Sequence, residues 1–218
     1  MRDAQVLNSM YGTKQVDAEK KRIQMHQAEL LLAQFCQLCG SMNSSDTFDH
    51  YMPRSLFPEF SACAYNMIPT CHMCNCPRGA DWLDENGDRK VLHMFYDAID
   101  ESRIYLQATI HSCENPIWVT FAIENPTDGS SDFCARYERH FNALHLGDRY
   151  ANYYSTRELP QICKLVRNYH EHELPGTTIK NILARTAREE KAGLNSPRAA
   201  LYRAAATDEF IEYARKAS

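Results

Sequence analysis

The sequence predicts an α+β protein in which an N-terminal helix leads into a small cysteine-stapled core, followed by a β-hairpin and a mainly helical C-terminal region. Three observations predict it. Apolar residues recur at three-and-four spacing over 17–35 and in several segments beyond 132, the period of an amphipathic helix. Between Ile104 and Ile123 two alternating apolar segments flank a polar turn. Residues 36–80 have little periodicity and are rich in Cys, His, Pro, Asn and Ser, the make-up of a unit that needs a staple beyond apolar burial. The expected divisions are 1–35 for the helical segment, 36–98 for the core and 99–218 for the hairpin with the helical region.

From Asp17, a plausible N-cap, to Phe35 the apolar stripe is Met25, Ala28, Leu31, Leu32 and Phe35. Lys20, Lys21 and Arg22 lie on this helix as a solvated face. The hairpin pairs "IYLQATIHS" with "IWVTFAI" around "CENP". Residues 125–132 read as a linker. Asp132 then caps a helix expected to end at Gly147, and a second begins near Leu159-Pro160 with Ile162, Leu165, Val166 and Tyr169. A third follows Thr177 with Ile179, Ile182 and Leu183. Ser196-Pro197 starts a last helical segment that breaks near Thr207-Asp208.

At 218 residues with a formal net charge of −4, the chain can bury a core without disulfides but has no large basic surface. The balance is uneven: residues 1–133 hold 10 Lys+Arg against 18 Asp+Glu, net −8, and residues 134–218 hold 14 against 10, net +4. The N-terminus "MRDAQVLNSMYGTK" has no apolar leader core, and "AELLLAQF" is too short to span a membrane. A reducing, cytoplasmic setting is expected, without membrane association. Nine cysteines there read as metal ligands plus buried thiols.

"CQLC" (Cys36, Cys39) and "CHMC" (Cys71, Cys74) are two C-x-x-C pairs separated by 31 residues. Two residues between thiols let both sulfurs of a turn point at one ion, and two such knuckles complete a closed tetrahedral Zn²⁺ site, structural and not catalytic. The competing reading is four unrelated core cysteines. Cys63, Cys76, Cys113, Cys134 and Cys163 are expected to be small buried hydrophobes, and His72 is a minor alternative zinc ligand. His170 and His172, two apart on a predicted helix, would face away from each other and form no second metal site.

The excursion clamped by the knuckles holds Asp49-His50 in "DHYMPRS", Asn66 in "YNMIP", Asn75 directly after "CHMC", and then "PRG". His50 to Asn66 is 16 positions and Asn66 to Asn75 is 9. Over about residues 36–80 this resembles the HNH endonuclease family, also called ββα-metal or His-Me finger, with a structural zinc on four cysteines. The resemblance implies a zinc-stapled ββα-metal nuclease core. It also implies roles: His50 the general base, Asp49 and Asn75 the ligands of a catalytic Mg²⁺ or Mn²⁺, and Asn66 a brace for the loop carrying His50. Arg54 and Arg78 become phosphate contacts, with solvated surface arginine as the competing reading. The third motif position is Asn75 where many members carry His, and Pro77 would restrict the first turn of the expected helix.

The chemistry agrees with those roles. A histidine of ordinary pKa can take a water's proton near neutral pH, and Mg²⁺ needs only one or two oxygen ligands besides the phosphate. Adjacent strand residues point to opposite faces, so Asp49 and His50 cannot both aim at one ion. The expected function is a metal-dependent endonuclease hydrolysing DNA, and free-standing proteins resembling this family occur in restriction, mobile-element and phage-defence settings. An acidic chain binds DNA weakly by itself, so a protein partner or a homo-oligomer is expected to supply affinity or control. The alternatives are the same site acting on RNA, and a non-catalytic zinc module that binds nucleic acid or protein.

Overall fold

A computed structural model describes residues 17–18, 21–22, 25, 36–40, 47–61, 63–78, 80–93, 96–97, 100, 102–112, 116–126 and 131–216. The described residues form a mixture of helices and two small sheets, and the chain divides into two compact units, residues 1–98 and 99–218. No described helix is long and apolar enough to cross a membrane.

In the first unit Asp17, Ala18, Lys21, Arg22 and Met25 are helical. Ala28, Leu31, Leu32 and Phe35 of the expected stripe, together with Lys20, lie outside the described residues. Asp17 is not the cap, because its own backbone is helical and a capping residue's is not. Met25 is exposed. Strand β1 (Thr47–His50) pairs antiparallel with β2 (Met67–Thr70), Thr47 opposite Thr70 and His50 opposite Met67. Helix α1 (His72–Arg78) follows at once. The expected short helix thus starts before Asn75 rather than after it. The second knuckle is itself the first turn, since the N–H groups of Cys74 and Asn75 both bond to the carbonyl of Cys71. Pro77 accordingly falls near the end of the helix, not in its first turn.

Between the strands the chain turns over Pro53, whose carbonyl accepts from Leu56 and Phe57 N–H, and makes two short 3-10 turns, Pro58–Phe60 and Ala64–Asn66. After α1, Leu83 pairs with Arg89 around a tight turn in which one oxygen of Asp84 accepts from the N–H groups of Asn86 and Asp88. Gly87 takes the left-handed conformation this turn needs, with φ of 81°. Val91 and Leu92 then return to the core.

In the second unit β3 (Leu106–His111) and β4 (Trp118–Ile123) form the expected hairpin, Ile110 opposite Val119 and Ala108 opposite Phe121. The expected turn residues Cys113, Glu114 and Asn115 lie outside the described residues. Helix α2 (Ser131–Ala143) ends before Gly147, because His145 adopts a left-handed conformation with φ of 51° and breaks it. Gly147 sits instead in the first turn of α3 (Leu146–Tyr153), where a Cβ would stand 3.2 Å from the Phe141 ring. Its lack of a side chain serves a close approach, not a helix end.

Helix α3 runs through a wide π turn, Tyr154–Glu158, directly into α4 (Leu159–Glu171). Pro160 lies in the first turn of α4, and the widened turn before it accommodates a residue that has no N–H to continue the ladder. Ile162 and Val166 are buried, with Leu165 and Tyr169 at the edge of the same stripe. Helix α5 (Gly176–Arg188) buries Ile179 and Leu183. Ser196 caps α6 (Pro197–Ala205) by accepting from Ala199 N–H at 3.1 Å, and α7 (Asp208–Lys216) follows a break at Thr207.

Asn195 ties α6 to the hairpin. Its side-chain oxygen accepts from the N–H groups of Tyr105 and Leu106 at 2.7 and 3.2 Å, and its amide donates to the Arg103 carbonyl at 2.8 Å. The basic balance of residues 134–218 is not a property of this unit, because 99–218 holds 15 Lys+Arg against 16 Asp+Glu, net −1.

Candidate functional site

The sulfurs of Cys36, Cys39, Cys71 and Cys74 all lie within 4.8 Å of one another, Cys39 and Cys71 at 3.9 Å, and all four residues are buried. Four sulfurs held tetrahedrally about one zinc at ~2.3 Å stand ~3.8 Å apart, so the cluster has the size and donor set of a closed zinc site. Local structure builds it. Gly40, at φ of 58°, lets its N–H return to the Cys36 carbonyl at 2.8 Å and turns the first knuckle, while Gln37 N–H bonds to the carbonyl of Pro69 within β2. The second knuckle is the first turn of α1. Crowding drives Cys71 toward the thiolate, chiefly through its hydrogen bond with Cys36, and pushes Cys36 up, chiefly through Cys39, and Cys74 up, chiefly through Cys36. A divalent cation at the shared centre removes that competition by accepting all four sulfurs. Among the described residues this is the one group of three or more Cys, His, Asp and Glu that can hold a metal.

The other cysteines divide. Cys134 and Cys163 are buried as expected, Cys63 is partly exposed and Cys113 lies outside the described residues. Cys76 is exposed, contrary to expectation: on α1 it lies one turn from exposed His72, and its sulfur is 3.3 Å from the His72 ring.

The strand pleat puts Thr47 and Asp49 on one side of β1 and Phe48 and His50 on the other. Asp49 is buried. His50 ends the strand, and its Nε2 lies 2.9 Å from the Ser61 carbonyl oxygen. A carbonyl only accepts, so Nε2 carries the proton and Nδ1 the basic lone pair.

Asn66 is opposite this turn. Its side-chain oxygen accepts from Met52 N–H at 2.7 Å, its amide donates to the Met52 and Phe60 carbonyls at 3.1 Å each, and its own carbonyl accepts from Tyr51 N–H at 2.8 Å. It therefore ties together both ends of the loop that starts at His50 and ends at the carbonyl on which His50 rests. The Asn75 amide donates to Thr47 Oγ1 at 3.3 Å, and Thr47 in turn donates to the Thr70 carbonyl at 2.9 Å. Asn75 thus lies on the Thr47 side of β1, which is the Asp49 side. Its nitrogen is engaged, so its oxygen is the atom left for a cation. Carboxylate and amide oxygens are the donor types that a hard ion such as Mg²⁺ takes. Arg54 is exposed on the turn after Pro53, and Arg78 closes α1.

Sequence reading missed Thr47, Ser61 and a brace from residues 89–97. Arg89 pairs with Asp97 at 2.8 Å and donates to the Tyr51 hydroxyl at 3.2 Å, which donates to the Val91 carbonyl at 2.8 Å. The second oxygen of Asp97 accepts from His93 N–H at 2.7 Å, and His93 Nε2 donates to the Tyr65 carbonyl at 3.1 Å. The His93 ring meets that of Tyr51 edge-on, 4.3 Å between centres. Burial holds His93 below the usual imidazole pKa. This segment grips the residues next to His50 and Asn66, and no periodicity marks it in the sequence.

No family model matches the chain, and no solved structure matches it. The chain is similar to protein ea31 of Escherichia phage lambda, 24% identical over 118 residues. The aligned stretch is 53% of this chain and 39% of ea31, so the match spans well under half the length of that relative.

Proposed function

We propose that the chain is a metal-dependent endonuclease of the HNH type, with a structural zinc on the four cysteines. The observation that carries this reading is the hydrogen bond from Asn75 to Thr47, which sets the Asn75 amide on the same side of β1 as the buried carboxylate of Asp49, while the next residue, His50, is held separately by the Ser61 carbonyl. Hydrolysis of a phosphodiester needs a base for the attacking water and positive charge beside the phosphate, supplied by separate groups.

In this reading His50 Nδ1 takes a proton from water, the water oxygen bonds to phosphorus, and the bond to the leaving oxygen breaks, that oxygen taking a proton from solvent water. The resulting imidazolium is oriented by its Nε2–H on Ser61, and a positioned base of this kind contributes roughly 10²–10⁴ in rate. Asp49 and Asn75 would hold a divalent cation, whose chemistry would be to polarise the phosphate. The zinc knuckle fixes Asn75, because Cys74 immediately precedes it on α1. DNA is the substrate proposed, and similarity to a phage lambda protein supports a phage-related setting.

Purified protein incubated with plasmid DNA and with tRNA, in Mg²⁺ or Mn²⁺ against EDTA, tests the reading. Metal-dependent cutting of plasmid, abolished by His50→Ala with zinc content and fold retained, is the expected result. Cutting of tRNA alone would move the substrate to RNA. Cutting of neither with either metal, alongside nucleic-acid binding that His50→Ala leaves intact, would replace the enzyme with a binding module.

A further inference from the structure

Two tyrosine rings stand beside the proposed catalytic loop. Tyr65 is 63% exposed and Tyr96 is 67% exposed, with centres 6.3 Å apart and planes tilted by 41°. Both are fixed to buried His93. The Tyr65 carbonyl accepts from the His93 ring, Tyr96 N–H donates to the His93 carbonyl at 2.9 Å, and the Tyr96 ring lies 4.5 Å from the imidazole. His93 also packs against Tyr51, the residue after His50, and Tyr65 is the residue before Asn66. The pair is thus a preorganised aromatic surface anchored to both ends of the loop that orients His50.

Charge decides what such a surface suits. Residues 1–98 hold 9 Lys+Arg against 12 Asp+Glu, and 99–218 are net −1, so neither unit gathers a duplex by its phosphates alone. Unpaired bases add stacking on exposed aromatic faces, a contribution with little dependence on sequence that a duplex, whose bases are already stacked on one another, does not offer. We infer that Tyr65 and Tyr96 form a stacking site for unpaired nucleobases of the substrate, so that the enzyme engages single-stranded or locally opened nucleic acid. This rests on the nuclease reading for the term substrate, but binding at the two rings is separable from cleavage.

The test uses the zinc-loaded His50→Ala protein with all 218 residues present and fluorescence anisotropy with a labelled single-stranded oligonucleotide and its duplex. Tighter binding of the single strand is expected, with Tyr65→Ala and Tyr96→Ala each weakening it roughly tenfold or more and Tyr→Phe at either position retaining it. Thermal unfolding checks that each variant is folded. Alanine variants that bind as the parent does, preference for the duplex, or binding of neither probe would each overturn the inference. Failure of the nuclease reading looks different: the wild-type protein cuts nothing while the tyrosine-dependent binding persists.

Discussion

The Nε2 of His50 rests 2.9 Å from the carbonyl oxygen of Ser61, eleven residues further along the chain. The loop that returns Ser61 to His50 is closed by Asn66, so the orientation of the imidazole depends on the Asn66 amide. Asn66→Ala removes three side-chain hydrogen bonds at a buried site and is expected to destabilise the first unit by about 2–4 kcal/mol. Thermal unfolding measures this. A variant as stable as wild type would show that the loop is held by other means.

Zinc is expected at about one ion per chain, measured by elemental analysis of protein purified without chelator. Cys36→Ser, or removal of zinc by a strong chelator, should raise hydrogen exchange across residues 36–78 and leave the protection of 99–218 unchanged, because the staple and its clients lie in one of two compact units. Metal-free protein with full protection over 36–78 would refute the structural role.

His93 gives the first unit a pH dependence of definite sign. Its folded pKa lies below the ordinary value of 6.5, so near that pH the unfolded chain binds more protons than the folded one. The contribution is complete above about pH 6.5 and is lost as pH falls from there through the lower folded value. His93→Gln cannot titrate, and the difference in stability between wild type and variant should therefore shrink from pH 7.5 to pH 5. Denaturant midpoints at matched pH values check it, and a difference that grows toward acid would contradict the assignment.

Asn195→Ala should destabilise the second unit by about 2–4 kcal/mol, since it leaves the N–H groups of Tyr105 and Leu106 and the Arg103 carbonyl without the amide that bridges them. Loss of amide protection at Tyr105 and Leu106 is the site-specific reading, and unchanged protection there would show that the hairpin start is stable without it.

Elements with strong local signals were legible in the sequence. The hairpin strands, the buried faces of α4 and α5, the Ser196 cap and the break at Thr207 each follow from periodicity or capping chemistry within a few residues. The expected end of a helix at Gly147 failed because a glycine can serve a close approach as readily as a turn, and the contact with Phe141 comes from another part of the fold. In the same way α1 began early, because the C-x-x-C spacing that gathers a metal is also one turn of helix.

The order and spacing of Cys36, Cys39, Cys71 and Cys74 by themselves determined that one buried four-sulfur centre could form, because two residues between thiols fix their directions locally. The tertiary structure alone decided that Ser61 would orient His50, that Thr47 would hold Asn75 on the Asp49 side of β1, and that His93 would fasten two exposed tyrosines to the same loop. Those relationships join backbone carbonyls and side chains across long loops, and a backbone carbonyl is present at every residue, so no residue type in the sequence announces which one will be used.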